Sequence, residues 1–79
     1  MKHKIHFNSI KEVQEFATRI SDFGCDINLY DASRCLDAKS IVALMNLDLK
    51  KDFEVEIISN TESEIQLIEG VIRDYEKTN

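Results

Sequence analysis

Asp26-Ile27-Asn28-Leu29-Tyr30-Asp31-Ala32-Ser33-Arg34-Cys35-Leu36-Asp37 holds two short runs separated by turn residues. In the first, Asp26 to Tyr30, Ile27 and Leu29 share one side and Asn28 the other, the period of two of a half-buried strand. Asp31-Ala32-Ser33 is turn chemistry. In the second run, Arg34 to Asp37, Leu36 turns inward. Two strands this close in sequence predict an antiparallel hairpin.

Upstream, the period changes. Ile10, Val13, Phe16, Ala17 and Ile20 recur at three and four residues, the apolar stripe of one helix. Ser9-Ile10-Lys11-Glu12 opens it with a serine-x-x-glutamate capping box. Gly24 is the expected stop, because glycine readily takes the left-handed conformation that ends helices. Before the helix, Ile5 and Phe7 alternate with Lys4 and His6, which predicts a short strand with one wet side.

Downstream of the hairpin, Ser40 introduces a second helix, Ile41 to about Leu47. Phe53, Val55 and Ile57 then alternate with Glu54 and Glu56 as a fourth strand. Thr61-Glu62-Ser63-Glu64 is a second capping box. The helix behind it carries Ile65, Ile68, Ile72 and Tyr75 on one stripe, widened by Leu67 and Val71. Gly70 within it costs about 1 kcal/mol relative to alanine, so a close helix approach is expected there. The resulting order, β-α-β-β-α-β-α, is an α/β (α+β) arrangement. It predicts a four-stranded, mostly antiparallel sheet with three helices on one face. The other face, with Lys4, His6, Asn28, Glu54, Glu56 and Ile58, meets water.

Seventy-nine residues without proline, repeat or linker read as a single domain, 1–79. Such a domain leaves little room for a deep substrate cavity, which favours a function carried on an exposed face. The formal charge of −5 argues against nucleic acid and anionic membranes as partners. No apolar run approaches the roughly 20 residues that span a bilayer, so a cytoplasmic protein is expected. Cys25 and Cys35 then stay reduced. With His3 and His6 they show no zinc spacing, so neither metal nor cofactor is expected. No combination of residues forms a self-sufficient catalytic site.

The second helix is apolar nearly all round. If Leu44 and Leu47 point inward, Ile41, Val42 and Met45 form an exposed patch suited to a protein partner.

From Ile20 onward the chain resembles HPr, the histidine phosphocarrier protein of the bacterial sugar phosphotransferase system. Ser21-Asp22-Phe23-Gly24-Cys25-Asp26-Ile27-Asn28-Leu29 and Asp37-Ala38-Lys39-Ser40-Ile41-Val42-Ala43-Leu44-Met45-Asn46-Leu47 carry the resemblance. The second stretch is similar to the family's Lys-Ser-Ile-Met segment, whose serine is a regulatory phosphorylation site. The resemblance thus implies an open-faced sandwich, a modification candidate at Ser40, and a partner surface of Lys39, Ile41, Val42, Met45, Asn46 and Lys50. Partners would be phosphotransferase-system components, a serine kinase or a transcription regulator. The family's glycines in and after this helix are replaced by Ala43, Asp48 and Lys50, which bears on recognition by its kinase.

The family's phosphoryl-accepting histidine, in a Gly-x-His-x-Arg-Pro-Ala run, has no counterpart here. Counting back from Phe23 without a gap, Ser9 stands at the histidine position, Lys11 at the arginine and Glu12 at the proline. A phosphocarrier needs a nucleophilic imidazole that forms a labile phosphoramidate. A serine hydroxyl gives a stable ester, and Glu12 adds a carboxylate beside the incoming phosphoryl group. His6 lies on the outward phase of its strand and His3 lies further upstream, so neither is expected at a helix N-terminus. The expectation is an HPr-like regulatory docking module without histidine phosphotransfer. The alternatives are a plain interaction or oligomerisation module, a monomer or weak homodimer through the first strand's edge, and a phosphocarrier using His6.

Overall fold

The computed structural model describes residues 2–76. Its elements run β1 (Lys2–Ile5), α1 (Ile10–Ile20), β2 (Asp26–Asp31), β3 (Arg34–Asp37), α2 (Ile41–Leu44), β4 (Phe53–Ile58) and α3 (Glu62–Arg73). The expected order and fold class are those observed. The sheet has strand order β1-β4-β2-β3, and every neighbouring pair is antiparallel.

The hairpin closes through a two-residue loop in which Ala32 takes φ 56°. A positive φ there lets so short a loop follow the right-handed strand twist. One side of the sheet is buried: Ile5, Ile27, Leu29, Phe53 and Val55 meet Val13, Phe16, Ala17 and Ile20 of α1, Leu44 of α2, and Ile68 and Ile72 of α3. Phe7 packs edge-on against Phe16 with ring centroids 5.4 Å apart, and against Tyr75 at 5.8 Å. It follows β1 instead of lying within it, and it still turns inward as the alternation requires.

Tyr75 also locks α3 to α1. Its hydroxyl donates to Glu15 Oε1 at 2.5 Å and accepts from Arg19 Nη1 at 3.3 Å, while Arg19 Nη2 pairs with Asp74 Oδ2 at 2.9 Å.

Several local expectations change. Gly24 has no positive φ. Helix α1 ends earlier at Ser21, whose hydroxyl donates to the Thr18 carbonyl at 2.7 Å. The second capping box does not form: Thr61 makes no side-chain cap bond, and the reciprocal bond is absent because the Thr61 amide donates to Ser59 Oγ while Glu64 takes the Ser59 hydroxyl and the Gly24 amide. Gly70 has open space where a Cβ would stand, so no helix approaches it closely. Leu67, 64% exposed, lies off the buried stripe, and Ile10 is 38% exposed at the first position of α1. Helix α2 is one turn, ending at Leu44. Leu47 still reaches the core by a further turn, with its amide on the Leu44 carbonyl.

The open face is a polar ladder. Lys2 stands opposite Glu56 and Lys4 opposite Glu54 across β1 and β4, and the Lys2 ammonium lies 4.6 Å from the Tyr30 ring centroid. The Tyr30 hydroxyl donates to Glu56 Oε1 at 2.7 Å, and that carboxylate holds the phenol up at about 12. Tyr75 is also raised, chiefly by burial and then by Glu15. Both tyrosines of this tryptophan-free chain should therefore ionise above the ordinary value of about 10 in the native state. The folded pKa of Tyr30 exceeds its unfolded one, so its contribution to stability is intact below about pH 10 and drains away as pH rises through about 12. A spectrophotometric titration checks this. Glu56→Gln is expected to bring Tyr30 back toward 10, and a wild-type Tyr30 midpoint at or below 10 would contradict the bond.

Candidate functional site: the entrance of α1

Ser9 is the N-cap of α1, in extended backbone, and its Oγ accepts from the Glu12 amide at 3.2 Å. The Glu12 side chain turns back, and its Oε1 accepts from the Asn8 amide at 2.9 Å. The box read from the sequence is thus present, with its reciprocal bond one residue earlier than the standard form. In consequence two donors at the helix mouth, the Asn8 and Glu12 amides, are already occupied. A helix N-terminus attracts an anion through unsatisfied N–H groups and its positive dipole end. Here the chain's own carboxylate serves as that anion. Lys11 is exposed beside it.

A cleft of about 370 Å³ opens at this entrance, lined by His6, Asn8, Glu12, Lys50, Asp52, Asp74, Tyr75 and Glu76. The structure therefore brings His6 to the first-helix entrance, contrary to the expectation from strand phase. The cause is non-local: His6 lies beyond the end of β1, and its ring turns toward the loop before β4. His6 Nδ1 lies 3.0 Å from Asp52 Oδ1 and 3.2 Å from the Lys51 carbonyl. Both neighbours are acceptors, so Nδ1 is the donor in these contacts. Around it stand Glu12, Asp52, Asp74 and Glu76 against one lysine, Lys50. Asp74 is engaged by Arg19. Such a lining opposes a phosphoryl dianion: at about 4 Å one unit of like charge costs about 1–4 kcal/mol between water and protein-surface dielectrics.

His3 lies apart, with Nε2 3.1 Å from Glu69 Oε2 and Nδ1 3.9 Å from Glu76 Oε2. The backbone confirms that β1 is an edge strand and shows its outer side partly covered. The His6 amide donates to the Tyr75 carbonyl at 2.8 Å, and Ile5 bridges Glu76. That cover shortens the free edge available for pairing between copies.

At α2, Ser40 is the N-cap, and its Oγ accepts from the Ala43 amide at 3.2 Å. Ile41, Val42 and Met45 are exposed, as the helix reading expected, with Val42 at 82%, and Asn46 and Lys50 are exposed as well. Lys39 differs. Its ammonium donates to the Phe23 carbonyl and its amide to Asp37 Oδ1, so it ties the loop after α1 to β3 instead of facing outward.

A family model described as "PTS HPr component phosphorylation site" matches residues 5–74. The chain belongs to the HPr family. No curated protein and no solved structure matches it. HPr proteins are phosphocarriers of the phosphotransferase system, and their partners are other proteins of that system. In this HPr-family chain the matched span includes Ser9 and Ser40, and the open-faced sandwich is the family's fold.

Cys25 is half-buried, and its thiol is pushed up first by burial and then by Glu64, while Cys35 is exposed on β3. Among the described residues no group of three or more His, Cys, Asp or Glu side chains is placed to hold a metal ion. No helix in that span is long and apolar enough to cross a membrane.

Sequence reasoning missed Asp52, Asp74 and Glu76 as neighbours of His6. Asp52 is 46 residues from its partner, and no local spacing could reveal it. Ile10 carried a usable signal: the first helical position projects beyond the sheet that buries the later stripe.

Proposed function

We propose that this HPr-family chain is a regulatory protein-binding module of the phosphotransferase system that does not carry phosphate on histidine. One observation supports this above all: the Glu12 carboxylate sits on the Asn8 amide, with Ser9 capping Glu12, where an incoming phosphoryl group would need free donors. The wall of the cleft compensates poorly, since four carboxylates face its one lysine.

The second part of the proposal is control through Ser40. Its hydroxyl is half-exposed beside the Ile41, Val42 and Met45 patch, so a phosphate there would alter the docking surface directly. Because α2 is a single turn, its summed dipole is small. The phosphate would gain from the nearby Ala43 amide more than from the helix as a whole. Incubation with the system's serine kinase is expected to add one phosphate to the wild type and none to Ser40→Ala, read by intact mass. An unmodified wild type would remove the switch and leave a docking module without it.

A further inference from the structure

Four large apolar side chains stand exposed around the entrance of α1: Ile10 on α1, and Ile41, Val42 and Met45 on and just after α2. None of the four lines the cleft itself, but Ile10 and Met45 lie close in sequence to residues that do. Ile10 lies between Asn8 and Glu12, which both line it, and Lys50, on the turn after α2, lines it from the other side. The two helices pack against each other. The packing of α1 on α2 thus places the apolar residues and the residues that open the cleft on the same pair of helices and the turn that follows.

We infer that this face receives a basic segment of a partner protein, which seats an apolar side chain on the Ile10, Val42 and Met45 patch and extends a lysine or arginine into the cleft. The inference rests on the docking role proposed above and adds the polarity of the partner. Apolar contact gives affinity without choosing among partners, whereas charge discriminates. Glu12, Asp52, Asp74 and Glu76 face the opening against Lys50, on a chain of net charge −5. An acidic segment would set like charges together in a partly enclosed site. A second copy would bring the same carboxylates against themselves. A cationic side chain meets four carboxylates against one lysine, and a cleft of about 370 Å³ admits one extended.

The test uses the full chain, isotope-labelled, and two synthetic peptides. One has a central leucine flanked by arginines, and the other has glutamate in place of each arginine. The arginine peptide is expected to shift the amides of residues 8–12 and 41–50, with affinity that falls as salt is raised. The glutamate peptide is expected to leave them unmoved. Glu12→Gln keeps an acceptor for the Asn8 amide and should weaken binding about three- to fivefold. Val42→Ser should weaken it about fivefold. Lys50→Gln should strengthen it about twofold or more, a change of opposite sign that a general loss of structure could not produce. Equal or tighter binding of the glutamate peptide, affinity indifferent to salt, shifts on another face, or no shift at all would overturn the inference. So would sedimentation showing that copies associate through these same amides. None of these outcomes bears on phosphate chemistry, so failure here and failure of the non-carrier proposal remain distinguishable.

Discussion

Phe7→Ala is expected to lower the free energy of unfolding by about 3–5 kcal/mol, the usual cost of truncating a fully buried aromatic ring. Phe7 is fully buried where three segments of the chain meet: Phe16 on α1, Tyr75 after α3 and Phe53 on β4. Edge-on aromatic pairs add about 0.5–1.5 kcal/mol each beyond the area they bury, and this ring makes two of them. A chain of 79 residues has a total stability of about 4–12 kcal/mol. The variant should therefore be partly unfolded at room temperature, or show a urea midpoint lowered by roughly 2–5 M at a slope of about 1–1.5 kcal/mol per molar. A loss below about 1.5 kcal/mol would mean that the ring is not the keystone described.

The second large effect is chemical. Ser9→His alone is expected to gain no acid-labile phosphate from the general phosphotransferase enzyme and phosphoenolpyruvate. The imidazole would stand at the α1 mouth, but Glu12 would still hold the Asn8 amide and oppose the transferred group. Ser9→His combined with Glu12→Pro is expected to gain it. The double change supplies the nucleophile, frees the amide and removes a repulsion of about 1–4 kcal/mol, roughly fivefold or more in transfer. Proline is tolerated in a first helical turn, where the amide lacks an intrahelical partner. Helix content by circular dichroism separates chemical failure from loss of fold. Labelling of the single variant at the level of the double would show that Glu12 is not the barrier.

The parts legible in the sequence are those governed by contacts within a few residues. The Ser9 cap, the α1 stripe from Val13 to Ile20, the hairpin and the β4 alternation all follow from local periods and appear as read. Thr61-Glu62-Ser63-Glu64 has the same local pattern as the Ser9 box and fails to close, because Glu64 bonds to Ser59 just upstream and to the Gly24 amide across the fold. Helix α2 is shorter than its apolar run suggested: burying both Leu44 and Leu47 is met by one helical turn followed by a second, separate turn. The exposed patch of Ile41, Val42 and Met45 was legible because so short a segment cannot bury every side. The cleft was not. His6 and Asp52 meet only because β1 pairs with β4, and Tyr75 and Glu76 return across the end of β1 only because α3 lies over the sheet.

That returning segment gives His6 the one placement from which an imidazole of this chain could reach the α1 entrance. Its Nδ1 faces Asp52 and its surroundings are acidic. The most direct measurement is to incubate the unaltered protein with the general phosphotransferase enzyme and phosphoenolpyruvate, then assay for acid-labile phosphate. The account predicts none. Labile phosphate mapped to His6 or His3 would contradict it and make the chain a carrier by another route.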